Sequence, residues 1–156
     1  MPKVQVSVIT KLTNSGAFSV KLDSAAFVAD PELLAALEQR SKTVVCTEDR
    51  ILFQQGESPA GLFILRSGSA TLSMVSITGE PLVDTTVSTG ALLGLPGVIG
   101  NQPYTLTGKA AKGTELGFVA IEDFSKLMLE NPALSLKVLR VLAAEVRTAR
   151  TAITGN

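Results

Sequence analysis

Between Lys42 and about Ala120 the apolar residues of this chain come in short runs rather than at helical spacing. Residues 43–46, 50–53, 62–65, 70–75, 82–87, 104–107 and 116–119 are rich in β-branched and large apolar side chains. Glycine-bearing polar stretches separate them, at 55–59, 67–68, 78–79 and 112–113. Short strands divided by frequent turns predict a closed β-sandwich or jelly roll. No helix-length pattern alternates with the strands, which excludes a βαβ layout. Helical patterns flank this region instead. Residues 24–40 carry Asp30 as an N-cap, Pro31 at the first helical position, and an apolar stripe of Leu33, Leu34 and Leu37. Residues 122–130 form a short helix, Asn131-Pro132 interrupts it, and a long final helix runs to about Thr154. The expected fold is therefore mainly β with flanking helices: a double-stranded β-helix (jelly-roll) barrel at about 42–120, an N-terminal helix, and C-terminal helices at about 121–154.

The first 22 residues stand apart. Val4-Gln5-Val6-Ser7-Val8-Ile9 alternates as a short strand does, and Thr13-Asn14-Ser15-Gly16 breaks it. Residues 1–22 are read as an arm, loose or packed on a partner, and residues 23–156 as one domain.

In the final helix Leu139, Leu142, Val146, Ala149 and Ile153 are spaced 3, 4, 3, 4, which is a heptad seam. Leu134, Val138 and Val141 form a second stripe beside it. Two apolar stripes need two covers. One packs on the barrel, and the seam then serves a homodimer. In the competing reading the whole apolar face packs on the barrel, since periods of 3.5 and 3.6 hardly diverge over three turns.

Composition narrows the function. The 156 residues suit one domain with a real core. With 14 basic and 14 acidic residues, bulk charge steers the chain toward neither nucleic acid nor an anionic membrane. No apolar run is long enough to span a bilayer, and the N-terminus lacks a signal-peptide pattern. Cys46 is the only cysteine, so no internal disulfide forms, and a cytoplasmic, reducing setting is expected. The absence of histidine excludes an imidazole triad, and with it the metal site of a cupin-type jelly-roll enzyme; no metal site and no enzyme activity are expected.

One window carries candidate binding chemistry: Gly94-Leu95-Pro96-Gly97-Val98-Ile99-Gly100-Asn101-Gln102-Pro103-Tyr104-Thr105-Leu106-Thr107-Gly108-Lys109-Ala110. Its spacing resembles the phosphate-binding cassette of cyclic-nucleotide-binding domains, as in catabolite-activator and Fnr-type regulators. That cassette reads Gly-Glu, a helical turn, then Pro-Arg-small-small-Thr. Phe53-Gln54-Gln55-Gly56-Glu57 resembles the family's Phe-x-x-Gly-Glu/Asp turn. Leu62-Phe63-Ile64-Leu65-Arg66-Ser67-Gly68 resembles its Leu-Tyr-x-Ile-x-x-Gly strand, and residues 90–94 its Gly-x-x-Phe-Gly approach, with Leu93 for Phe. The resemblance covers residues 30–153. Gly56, Gly68 and Gly79 suit tight turns in any jelly roll and are assigned to fold.

The resemblance implies a pocket at Gly94, Leu95, Pro96, Gly97, Val98, Pro103, Tyr104, Thr105 and Thr107. In the family, amides at the amino end of the helical turn hold the cyclic phosphate, the Arg neutralises it, and the Glu accepts from the ribose hydroxyl. Here Leu95 stands at the Glu position and Tyr104 at the Arg position. Pro96 has no N–H to give, while Thr105 and Thr107 keep polar groups at theirs. A charge-assisted hydrogen bond to a buried anion contributes ~1.5–3 kcal/mol, so its loss, with that of the Glu contact, predicts affinity lower by about two decades or more. Arg147 and Arg150 on the final helix are candidates to replace the charge, Arg150 the more so, set against an ordinary solvated role. Leu95 is a candidate for plain core, and Tyr104 for the pocket or the surface. Leu and Tyr make the cavity apolar and neutral, which suits either a ligand with an aromatic or acyl part or a cavity closed by its own side chains. The expected function is a regulatory small-molecule-sensing module whose effector is a nucleotide or another small molecule, but not cyclic AMP in the usual pose. The alternative is a ligand-free interaction or dimerisation module with a self-filled pocket and a protein partner. The DNA-reading members of the family continue into a helix-turn-helix domain. This chain ends at Asn156 without a recognition helix, so no direct nucleic-acid contact is expected, whether it is a stand-alone module or part of a longer protein.

Overall fold

The structure, a computed structural model, describes residues 19–154. The strand expected at 4–9 and its break at 13–16 lie outside them. Asp30 caps the first helix, α1 (Pro31–Glu38), its carboxylate accepting from the Leu33 N–H at 2.9 Å. The helix is shorter than the 24–40 pattern implied. Residues Ser24–Phe27 form a separate single turn of 3-10 helix, because Asp30 and Pro31 start a new helix rather than continue one.

Eight strands follow: β1 (Lys42–Val45), β2 (Arg50–Phe53), β3 (Gly61–Ser67), β4 (Ala70–Val75), β5 (Pro81–Val87), β6 (Leu92–Leu93), β7 (Thr107–Ala110) and β8 (Glu115–Ala120). A short helix, α2 (Leu95–Gly100), lies between β6 and β7, and α3 (Ile121–Glu130) and α4 (Ala133–Thr154) close the chain. The strands make two antiparallel four-stranded sheets, ordered β1-β8-β3-β6 and β2-β7-β4-β5. This is a mainly β jelly roll with helices at both ends, as expected.

Two cores share the first sheet. Phe63, Leu65, Leu93 and Leu116 point into the roll and meet Phe53, Leu72 and Val87 of the second sheet. Leu62, Ile64, Leu92 and Val119 point the other way and meet Leu33 and Leu37 of α1, Phe124 and Leu127 of α3, and Leu134, Val138 and Val141 of α4. Burial on both faces is why β3 reads as an unbroken apolar run instead of an alternating one.

Polar contacts fix the helices to this frame. The Arg66 guanidinium meets Glu38 of α1 at 2.8 Å, and also donates to Ser41, Thr43 and Glu115. Its hydrogen bonds hold the Glu38 carboxyl below its ordinary range. Lys137 of α4 pairs with the Asp30 cap at 2.7 Å, and the Thr148 hydroxyl accepts from the Asp23 N–H at 2.6 Å. The long helix is thus tied down in both halves.

The last residues of the N-terminal arm are ordered against the roll. Val20 bridges Val83 of β5 in parallel register, and the Leu22 N–H donates to the buried Thr85 hydroxyl at 2.7 Å.

Candidate functional site

The window 94–107 forms a compact turn, not a strand. Gly94 caps α2 at φ 90°, a left-handed conformation that glycine adopts without strain. After α2, Asn101 also turns left-handed, at φ 47°, and its N–H returns to the Gly97 carbonyl. The chain then doubles back to Tyr104.

Tyr104 points inward, and its ring is buried. The ring stacks on Phe53 with centroids 4.4 Å apart. On its other edges it lies against the backbones of Gly94 and Gly97; a Cβ at either would stand 3.0 Å from a ring carbon. Glycine at 94 and 97 therefore makes room for the ring. The hydroxyl donates to the Gly61 carbonyl at 2.6 Å and accepts from the N–H groups of Ala60 and Gly61 at 3.2 and 3.3 Å. A buried phenol with its oxygen satisfied in this way costs little to bury.

The backbone of Tyr104 is also committed. Its N–H donates to the Glu57 carbonyl at 2.9 Å, and its carbonyl accepts from Gly56 at 2.8 Å. Tyr104 therefore pairs with the turn after β2, and β7 begins only at Thr107. That corrects the strand expected at 104–107.

The other candidate residues divide. Gly94, Pro96, Gly97, Tyr104 and Thr105 line one small cavity of about 40 Å³. Leu95 and Val98 turn away from it and are buried in the helix-side core. Pro103 is exposed, and the Thr107 hydroxyl accepts from the Gln55 N–H at 2.9 Å. Arg150 is exposed and lines neither this cavity nor the groove described next. No group of three metal-ligating side chains gathers among the described residues.

A larger space adjoins the cavity. It is a groove of about 400 Å³ between α4 and the roll, lined by Leu22, Leu82, Val83, Leu106, Leu142 and Ile153 among others. Phe27, Pro96, Thr105, Leu106 and Glu145 border both spaces. Among the described residues Glu145 is the one acid lining either, and no lysine or arginine lines them. Its Oε2 is shielded from solvent and has no hydrogen-bond partner among the described residues. Burial alone pushes this carboxyl up to about 8. Sequence reading missed Glu145, yet a signal was present. Continuing the stripe Leu134, Val138, Val141 at the same spacing reaches Glu145 and then Thr148. Glu145 is thus the one polar residue that α4 sets on the groove, among Leu142, Val146, Ala149 and Ile153.

The cyclic nucleotide-binding domain model matches residues 43–131, more than half of the chain. The chain belongs to the cyclic nucleotide-binding domain family. Solved structures share this fold at low identity. The catabolite activator protein of Thermus thermophilus superposes with a TM-score of 0.68 at 21% identity, over 78% of this chain and 57% of that one. The N-terminal domain of a transcriptional regulator from Streptomyces coelicolor A3(2) gives 0.60 at 24%, over 79% and 85%. Oxidised CprK, solved in complex with o-chlorophenolacetic acid, gives 0.63 at 13%, over 90% and 56%. The chain thus spans little more than half the length of the Thermus activator. No curated protein sequence matches it. At position 104, where the resemblance implies an arginine, this chain holds a buried tyrosine. No helix among the described residues is long and apolar enough to cross a membrane.

Proposed function

We propose that this cyclic nucleotide-binding domain is a small-molecule-sensing regulatory module whose phosphate seat is closed by Tyr104. It does not read cyclic AMP in the usual pose. The observation that carries this reading is the Tyr104 ring between Phe53, Gly94 and Gly97, with its hydroxyl on Gly61. A space of about 40 Å³ holds a water or two, whereas small-ligand sites run from about 300 Å³ upward. Among the described residues no lysine or arginine lines that space to meet the phosphate, and an unpaired buried anion is costly. Room for an effector lies instead in the apolar groove under α4. CprK, which shares this fold, was solved in complex with o-chlorophenolacetic acid, so a protein of this fold can hold a small molecule that is not a nucleotide.

Effector binding in the groove would alter the docking of α4, whose hold on the roll runs through Lys137–Asp30 and Thr148–Asp23. The sensing output passes to a second copy along the same helix. Of the seam residues, Leu142, Val146, Ala149 and Ile153 line the groove, and Leu139, outside it and 59% exposed, is the one left for a partner helix. Sedimentation equilibrium should give twice the 16.3 kDa chain mass. Leu139→Glu, outside the groove, should weaken the dimer at least about tenfold; an unaltered association constant removes α4 as the interface.

Closure by Tyr104 also favours the second reading, an interaction module that takes no ligand at all. Calorimetric titration with cyclic AMP and cyclic GMP tests what both share. Neither nucleotide should bind below about millimolar concentration, the two-decade loss argued above. Micromolar binding of either overturns the closed seat.

A further inference from the structure

We propose that the groove under α4 takes a small apolar amine, its ammonium on the Glu145 carboxyl and its hydrocarbon along Leu22, Leu82, Val83 and Leu106. The proposal rests on the reading of the groove as the effector space and adds the chemical class of the effector. Three observations support it. The groove, at about 400 Å³, has the size of a small-ligand site and an almost wholly apolar wall. Its one acid stands where the groove meets the small cavity, with Oε2 shielded and unpartnered. No basic side chain lines either space to complete the pair from within the described residues.

An apolar wall with a single buried acceptor is complementary to a hydrocarbon carrying a single donor. Three chemistries can be compared at that acceptor. A carboxylic acid would set two carboxyls together, and one would have to keep a proton. An alcohol gives a neutral hydrogen bond. An ammonium gives a charge-assisted one, roughly twice as strong. Glu145 is also placed to pass the event on, since it lies on α4 between Val141 of the inner core and the Thr148 tie to Asp23. Ion pairing with the amine ionises Glu145. The carboxyl is mostly protonated at pH 7, so binding releases close to one proton per amine.

Calorimetry with n-octylamine, n-octanol and n-octanoate tests this on the full chain. The three share one tail and differ only in the head. The amine should bind at least about tenfold more tightly than the alcohol, and the acid most weakly. Titrations in buffers of different ionisation enthalpy should report the released proton. Glu145→Gln keeps the shape of the side chain and a neutral acceptor oxygen; it should abolish both the preference for the amine and the proton release. Binding of octanol or octanoate as tight as that of octylamine overturns the amine assignment while the groove stands. The same holds if the preference survives in Glu145→Gln. Failure of all three to bind at millimolar concentration overturns the groove reading itself.

Discussion

Tyr104→Ala should lower the free energy of unfolding by about 3–5 kcal/mol, the range for removing a large buried ring. Urea denaturation followed by circular dichroism reads it. The ring is held between Phe53 on one face and the glycines at 94 and 97 on its edges. Deleting it leaves a hole where the two sheets meet α2. It also strips the Gly61 carbonyl and the Ala60 and Gly61 amides of the partner they share. Tyr104→Phe separates the two effects. The ring stays, the three backbone groups lose the hydroxyl, and about 1–3 kcal/mol is expected. A loss below about 1 kcal/mol for the alanine variant, within the range of ordinary surface changes, would mean the ring is not part of the core. A stable Tyr104→Ala protein that bound cyclic AMP tightly would refute the argument in a second way, because no cation among the described residues lines the vacated seat.

Glu145 should make the protein less stable as pH rises, and Glu145→Gln should remove most of that dependence. The carboxyl is raised from 4.5 in the unfolded chain to about 8 in the fold, by burial. Between those values the folded state keeps a proton that the unfolded chain has released. The unfolded state then binds fewer protons, so stability falls with pH across that window. The contribution is fully present below about 4.5 and lost as pH passes through about 8. The slope inside the window is about 1.4 kcal/mol per pH unit, and the total is of the order of several kcal/mol. Asp30 and Glu38, both held low by cationic and hydrogen-bonding partners, act in the opposite sense and outside the window. Their stabilisation is present above their unfolded values and lost as pH falls below them. Denaturation at pH 5.5 and at pH 8.5 should therefore show the native protein weakened at the higher pH and Glu145→Gln nearly level. Equal slopes for the two proteins would place the Glu145 carboxyl in water.

Much of this architecture was legible because local chemistry and tertiary context agree. The strands Arg50–Phe53 and Ala70–Val75 carry β-branched and large apolar residues between polar turns, and they form at those bounds. Asp30-Pro31 is a helix start in sequence and in structure, and Asn131-Pro132 divides α3 from α4. Two elements were illegible for the same reason. Tyr104 looks like the first residue of a strand, since an aromatic followed by Thr, Leu and Thr fits the pattern. Whether its ring points inward depends on glycines at 94 and 97 and on a carbonyl at 61, which only the fold brings near. The two-residue strand Leu92–Leu93 is too short for any periodicity to signal, and its pairing with β3 is wholly tertiary.

Glu145 was a different case. A single acid on a long amphipathic helix is usually solvated, and nothing within one turn says otherwise. Only the continued stripe from Leu134 through Val141 places it on the buried face. Leu95 shows the value of the plain alternative. It stands where the resemblance implies a ribose-binding Glu, yet its side chain is buried with Leu33, Leu62 and Phe124. Position and spacing persist there while the side chain has changed sides.

Tyr104 is the only tyrosine, and the chain has no tryptophan, so its emission reports one ring alone. Acrylamide quenching of that emission, with and without saturating cyclic AMP, tests the closed seat most directly. The closed seat predicts quenching far weaker than for the urea-unfolded chain, and no change on adding nucleotide. Quenching as strong as in the unfolded chain, or an emission change that saturates with cyclic AMP, would contradict it.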